Sequence, residues 1–276
     1  MRSEITTKEK IRLTGEQETL LIPLYSRAVE SREANPLLVD TTAEGILECI
    51  DYDFDDLETP RKTRIMLCLR AKKIDTYARK FLDVHPESIV LHLGCGLDSR
   101  CMRVNNGEVD WFDLDMPEVI DLRQRFFGET DRYHMIASSV TELDWMDDIP
   151  QRQGPVLVIA EGLLMYLTEV QVKALISKLY ESFPEGSLVF DAYSVFTKKR
   201  AASHPSFRKT GAVVQWGIDD PGELEEWVKG LRFEEEWFFT EADELKELGF
   251  WDRIAFRIAG MFTMAKKAHR ILIYSW

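Results

Sequence analysis

The chain has 276 residues, 45% of them hydrophobic and 30% charged, the composition of an ordinary globular fold with a substantial core. Its formal net charge of -13 argues against nucleic acid, whose binding rests on Lys and Arg neutralising phosphates, and against anionic membranes. A small molecule, or a neutral to basic protein segment, is left as the partner.

The N-terminus, MRSEITTKEK, is polar and has no apolar run of the signal-peptide kind. Nowhere does an apolar stretch approach the roughly 20 residues that span a bilayer, so the cytoplasm is the expected location. Residues 1–85 read as a helical cap forming part of a lid over substrate and cofactor. Leu20, Leu21, Leu24 and Val29 give one apolar helix face, broken at Asn35-Pro36. A second helix is expected from Pro60, a first-turn proline, to Leu82, with Ile65, Leu69, Ile74, Ala78 and Phe81 at helical spacing.

From residue 86 to the end the pattern changes to short apolar strands alternating with helices. Strands are expected at Ile89–Leu93, Val109–Leu114, Tyr133–Ala137, Pro155–Ala160 and Ser187–Ala192, the mark of an α/β fold with a mostly parallel sheet and helices on both faces. Thr168 and Gln171 form a capping-box pattern that opens the helix after the fourth strand. Further on, Asp220-Pro221-Gly222 reads as a turn and Glu223–Lys229 as a short helix. Phe233–Phe239 and Arg270–Trp276 then read as strands flanking a helical stretch. As an antiparallel pair they would bring the sheet to seven strands.

Directly after the first strand comes Gly94-Cys95-Gly96-Leu97-Asp98-Ser99. Glycines at 94 and 96 allow a tight turn and close approach of backbone to a ligand. A dinucleotide enzyme uses the same device, but here Ser99 replaces the third glycine, and Asp98 sits where a pyrophosphate needs positive charge. A sulfonium cofactor, with no phosphate, avoids that conflict. The second strand ends in Asp113-Leu114-Asp115, about 20 positions on, where a carboxylate can accept ribose hydroxyl protons; Asp115 is favoured. Glu161 follows the fourth strand directly and so lies at the mouth of the same crevice.

Several other residues are candidates for the site. Tyr166 and Tyr193 follow the fourth and fifth strands and are candidates to line the substrate pocket, as is Trp216. Arg27, on the first helix, is a candidate clamp for an anionic substrate. His204, before Pro205, is a candidate base, whereas His92 reads as a core histidine. The four cysteines, Cys49, Cys68, Cys95 and Cys101, show no C-x-x-C pair or His cluster, so no metal is expected.

The stretches RAKKID (Arg70–Asp75), LHLGCGLDSR (Leu91–Arg100), WFDLDMP (Trp111–Pro117) and LVIAEGLLMYL (Leu157–Leu167) resemble the leucine carboxyl methyltransferase superfamily, in particular its bacterial branch similar to tetracenomycin-pathway O-methyltransferases. The resemblance implies a class I methyltransferase fold and S-adenosylmethionine as cofactor. It would place Arg70 on the methionine carboxylate, Gly94 on the methionyl part, Asp115 on the ribose and Glu161 on the amino end. The eukaryotic members carry an Asp after the third strand, where this chain has Ser138-Ser139-Val140. Ser139 and Val140 are therefore the expected adenine contacts.

The reaction expected is in-line displacement of the sulfonium methyl by a substrate oxygen. A carboxylate acceptor is already ionised at neutral pH and needs no base; a phenol would call on His204 or Tyr193. The lack of an evident buried His–Asp pair in the sequence favours a carboxylate or acidic phenol. The alternatives are an NAD(P)-dependent oxidoreductase and a non-catalytic S-adenosylmethionine-binding protein.

Overall fold

The structure, a computed structural model, describes residues 18–57, 59–150, 154–201 and 212–276. Helices α1 (Glu18–Ser31), α2 (Thr41–Cys49) and α3 (Arg61–Val84) precede β1 (Ile89–Leu93). Then follow α4 (Arg100–Val104), β2 (Asp110–Asp115), α5 (Pro117–Arg123), β3 (Tyr133–Ala137), β4 (Val156–Ala160), α6 (Glu169–Ser182), β5 (Gly186–Tyr193) and α7 (Val195–Ala201). Two further strands, β6 (Arg232–Phe238) and β7 (His269–Ser275), flank a helix over Phe250–Gly260.

The seven strands form one sheet in the order β3-β2-β1-β4-β5-β7-β6. Strands β1 to β5 run parallel, and β7 is antiparallel to both its neighbours. The expected antiparallel pair is present, but only β7 opposes the rest, because it inserts between β5 and β6. The chain leaves β1 outward through β2 and β3, then returns to β4 on the other side of β1. That reversal opens a crevice above the carboxyl ends of β1 and β4, where ligands bind in such sheets.

Period-two alternation divides the core between the faces. Ile89, Leu91 and Leu93 of β1 cluster with Val172, Leu175, Ile176 and Leu179 of α6. Val90, with Trp111, Leu157 and Val189, clusters with Leu21 and Leu24 of α1 and Ile74 and Ala78 of α3. The change of pattern at residues 85 and 86 thus marks the passage from helices to sheet, while the core runs across it. Pro60 occupies the cap position before α3 rather than its first turn. The Thr168–Gln171 capping box is formed with both of its hydrogen bonds.

Candidate functional site

The glycine turn is tied to the end of β2. Gly94 and Cys95 both donate their N–H to the Leu114 carbonyl, at 2.8 and 3.2 Å, and Gly96 donates to Asp115 Oδ2 at 2.7 Å. This folding-back needs left-handed backbone, φ +64° at Gly94 and +50° at Gly96, which glycine adopts without penalty. From behind, the buried Arg123 donates to the carbonyls of Gly96 (2.8 Å) and Asp98 (2.7 Å). Asp115 also accepts from the Met116 N–H; burial raises its pKa above the ordinary value against these two hydrogen bonds.

Arg70 comes from the middle of α3 and reaches over the ends of β4 and β5. Its Nε donates to Glu161 Oε1 at 2.8 Å and its Nη1 to Asp191 Oδ2 at 2.9 Å. Nη2 makes no hydrogen bond among the described residues and lies against Gly162, whose Cβ, if it had one, would meet it at 3.3 Å. Burial pushes the Asp191 carboxyl up, but Arg70, then His269, then the Gly162 N–H outweigh it and hold it well below the carboxylate range.

A second set of charges continues from Glu161. Arg100 pairs with Glu161, with Asp75 at 2.7 Å and with Asp98 at 3.2 Å. Arg103 pairs with Asp75 and Asp40 (both 2.7 Å) and with Asp98 (2.9 Å), while Arg27 holds Asp40 at 3.0 Å and lies 3.6 Å from Asp98. The Asp98 charge is therefore answered by three guanidinium groups. The repulsion of a pyrophosphate expected from it carries no weight in this structure.

Part of this network, with the glycine turn, lines a cavity of about 220 Å³. Of the residues proposed from sequence, Arg27, Arg70, Gly94, Gly96, Glu161, Tyr166 and Tyr193 line it, together with Leu20, Leu67 and Met165. Asp115 is one hydrogen bond behind Gly96. Ser139 bonds the Thr141 hydroxyl at 2.8 Å in the loop after β3, and Val140 packs into the core beside β2; neither is in the lining. Trp216, expected to line the pocket, is instead buried against Phe190 and Trp227 and is not part of the cavity lining. Arg27 reaches the cavity, but Asp40 and the Leu97 carbonyl already hold its guanidinium. His204 lies outside the described residues.

Against the expectation from sequence, two His–Asp pairs are present. His92 Nδ1 bonds Asp113 at 2.9 Å and its Nε2 meets Arg100 at 3.0 Å. Arginine only donates, so Nε2 accepts and the proton sits on Nδ1. His269 Nε2 bonds Asp191 at 2.6 Å. Arg100, Asp191 and His269 were given no role from sequence. Asp191 was detectable as the one carboxylate in the apolar run Leu188-Val189-Phe190-Asp191-Ala192; the other two gave no comparable signal.

The leucine carboxyl methyltransferase family model matches residues 21–180. The chain belongs to the leucine carboxyl methyltransferase family. It is 42% identical over 269 residues to the tetracenomycin polyketide synthesis O-methyltransferase TcmP of Streptomyces glaucescens, covering 97% of this chain and 99% of that one. It is 31% identical to the S-adenosyl-L-methionine-dependent methyltransferase dpfgK of Gibberella zeae, covering 96% of each. Among solved structures, a DUF574-family protein of Streptomyces avermitilis superposes with a TM-score of 0.59 at 11% identity, over 94% of this chain and 98% of that one.

The protein is thus an S-adenosylmethionine-dependent methyltransferase with the class I fold, and the nicotinamide alternative falls away. Among the described residues no helix is long and apolar enough to cross a membrane, and no group of three or more His, Cys, Asp or Glu is placed to hold a metal.

Proposed function

We propose that this member of the family methylates a carboxylate or phenolic oxygen of a small, largely apolar molecule in the cytoplasm, by direct in-line displacement. The observation that carries the reading is Arg70, a residue of the cavity lining fixed at Nε and Nη1 by two buried carboxylates, with no hydrogen bond to Nη2 among the described residues. A guanidinium so held is ready for one carboxylate oxygen of an amino acid.

The surrounding groups fit the rest of an adenosyl amino acid. Glu161 would take the ammonium, and Asp115, with lone pairs to spare beyond Gly96 and Met116, the ribose hydroxyls. Gly94 and Gly96 would pass backbone close to the ligand, with Ser139 and Val140 toward the adenine. When bound, the cofactor supplies an electrophilic methyl group on a sulfonium. The protein's own work is to orient the acceptor and exclude water.

Leu20, Leu67 and Met165 offer the acceptor an apolar wall, and Tyr166 and Tyr193 two phenols. Burial pushes the Tyr166 hydroxyl up to about 12 and the Tyr193 hydroxyl higher still, so both are neutral hydrogen-bond donors and poor bases. His92 has both ring nitrogens engaged, and His269 is outside the cavity lining. A carboxylate acceptor, ionised at neutral pH, suits this lining better than a phenol. The relative named for polyketide synthesis supports a small molecule over a protein terminus.

The test is calorimetric titration with S-adenosylhomocysteine, followed by transfer of tritiated methyl to a panel of aromatic carboxylic acids and phenols. Base-labile label, as a methyl ester, is the expected product. Binding with no transfer to any acceptor would refute the catalytic reading, and base-stable label would shift it to phenols.

A further inference from the structure

Asp191 stands at the carboxyl end of β5, completely buried, and its side chain is a joint between three elements. Oδ2 accepts from Arg70 Nη1 of α3 at 2.9 Å and from His269 Nε2 of β7 at 2.6 Å. Oδ1 accepts from the Gly162 N–H at 2.5 Å. Gly162, at φ +66°, begins the turn that delivers Met165 and Tyr166 to the cavity. One carboxylate thus fixes both the arginine on the cofactor side and the loop on the acceptor side.

The carboxylate is in turn fixed by His269. Asp191 only accepts, so the His269 proton sits on Nε2. The imidazole packs against the rings of Tyr193 (4.6 Å between centroids) and Phe239 (4.8 Å). These two contacts limit its freedom to swing away from its hydrogen bond. Burial lowers the His269 pKa despite the Asp191 carboxylate, so the ring acts as a neutral donor.

Resting on the cofactor reading above, we propose that Asp191, oriented by His269, is a positioning residue for methyl transfer. It presets the Arg70 guanidinium for the cofactor's carboxylate and holds the Gly162 turn. Neither residue needs to touch a reactant to do this. Without Asp191, Glu161 alone would hold Arg70, through Nε, and the guanidinium would lose its fixed direction. The loss should fall on the amino-acid end of the cofactor and spare the adenosyl end.

Two ligands separate these ends: S-adenosylhomocysteine, and 5′-methylthioadenosine, which lacks the amino-acid portion. In Asp191→Asn the affinity for S-adenosylhomocysteine should fall about 10- to 100-fold, the range for a hydrogen bond to a charged group, with methylthioadenosine within about twofold. His269→Phe keeps the ring packing and removes the donor, and should show the same selective loss, about three- to tenfold. Should Asp191→Asn fail to fold, His269→Phe carries the test alone.

Equal losses for both ligands would mark a merely structural role and overturn the proposal. So would wild-type selectivity in the variants. A wild-type protein with no preference for S-adenosylhomocysteine over methylthioadenosine would instead overturn the assignment of Arg70 beneath it.

Discussion

Replacing Gly94 by alanine asks whether the glycine turn is shaped for a ligand or only for folding. At φ +64°, a side chain costs about 1–2 kcal/mol. The new methyl would meet Leu163 Cδ1 at 3.0 Å and Leu163 Cβ at 3.3 Å. Because Cβ is fixed to the backbone, Leu163 cannot swing wholly clear, which adds about 1 kcal/mol. The less flexible unfolded chain offsets about 0.4–1 kcal/mol. The net loss is about 2 kcal/mol, or roughly 4–8 °C in Tm for a protein of this size. Gly107→Ala is the control, since φ is +86° there but nothing lies within 4 Å of a new Cβ; it should cost about 1 kcal/mol. Scanning fluorimetry gives the melting shifts and calorimetry the affinity for S-adenosylhomocysteine. Gly94→Ala should weaken that affinity at least ~10-fold and Gly107→Ala should leave it unchanged. If the two variants melt together and bind alike, the turn does not contact the cofactor and the reasoning fails.

Three further outcomes are expected. Arg70→Met should cost about 2–3 kcal/mol, at or below the low end for a broken buried ion pair, because Glu161 keeps Arg100 and Asp191 keeps His269. Its affinity for S-adenosylhomocysteine should fall ~100-fold in calorimetry, and Arg70→Lys should not restore it, since an ammonium cannot reproduce the guanidinium fork. Thr168→Ala removes the hydroxyl that accepts from the Gln171 N–H and keeps the backbone N–H that donates to the Gln171 side chain; it should lower Tm by about 2–4 °C with kcat unchanged, and a loss of turnover would contradict a purely structural cap. For Asp113, burial raises the pKa, but Arg123 and then His92 and Tyr133 bring it down to about 2. Its native value is below its unfolded one, so its contribution of about 2 kcal/mol is complete above pH ~4 and lost as pH falls toward ~2. Acid titration of the unfolding free energy should be shallower below pH ~4 in Asp113→Asn than in wild type, and parallel curves would refute the assignment.

What could be read in advance was whatever the chain states locally. Strand β1 is an apolar run ending in two glycines, and α6 carries its own capping box. The signal and the structure lie within a few residues in both. The insertion of β7 between β5 and β6 could not be read that way, because it depends on pairing with a strand some 80 residues earlier. The ion pairs are the same kind of case. Asp98 and Arg100 stand in one motif, but partners reach them from α1, α3 and the end of β4; His92 is the core histidine expected, and its partner Asp113 comes from the neighbouring strand β2. Trp216 was misread for a related reason. An aromatic residue in a loop after β5 can face a ligand or the core, and Phe190 and Trp227 decide for the core.

The charges around the cavity also bear on turnover. Arg27, Arg70, Arg100 and Arg103 face Asp40, Asp75, Asp98, Glu161 and Asp191, four cations against five anions. Arg123 and Asp113 balance each other, so the network behind the cavity keeps an excess of one negative charge, although the lining itself, with Arg27, Arg70, Asp98 and Glu161, is balanced. Buried as these groups are, that excess is poorly screened by solvent and salt. S-adenosylmethionine, with an ammonium, a carboxylate and a sulfonium, is a net cation and would be drawn toward that network. Its demethylated product has lost the sulfonium charge and is neutral, so the attraction ends when the methyl group leaves. If Arg70 holds the cofactor as proposed, the network around it would also favour the methyl donor over its product, and exchange of one for the other would be downhill in electrostatic terms.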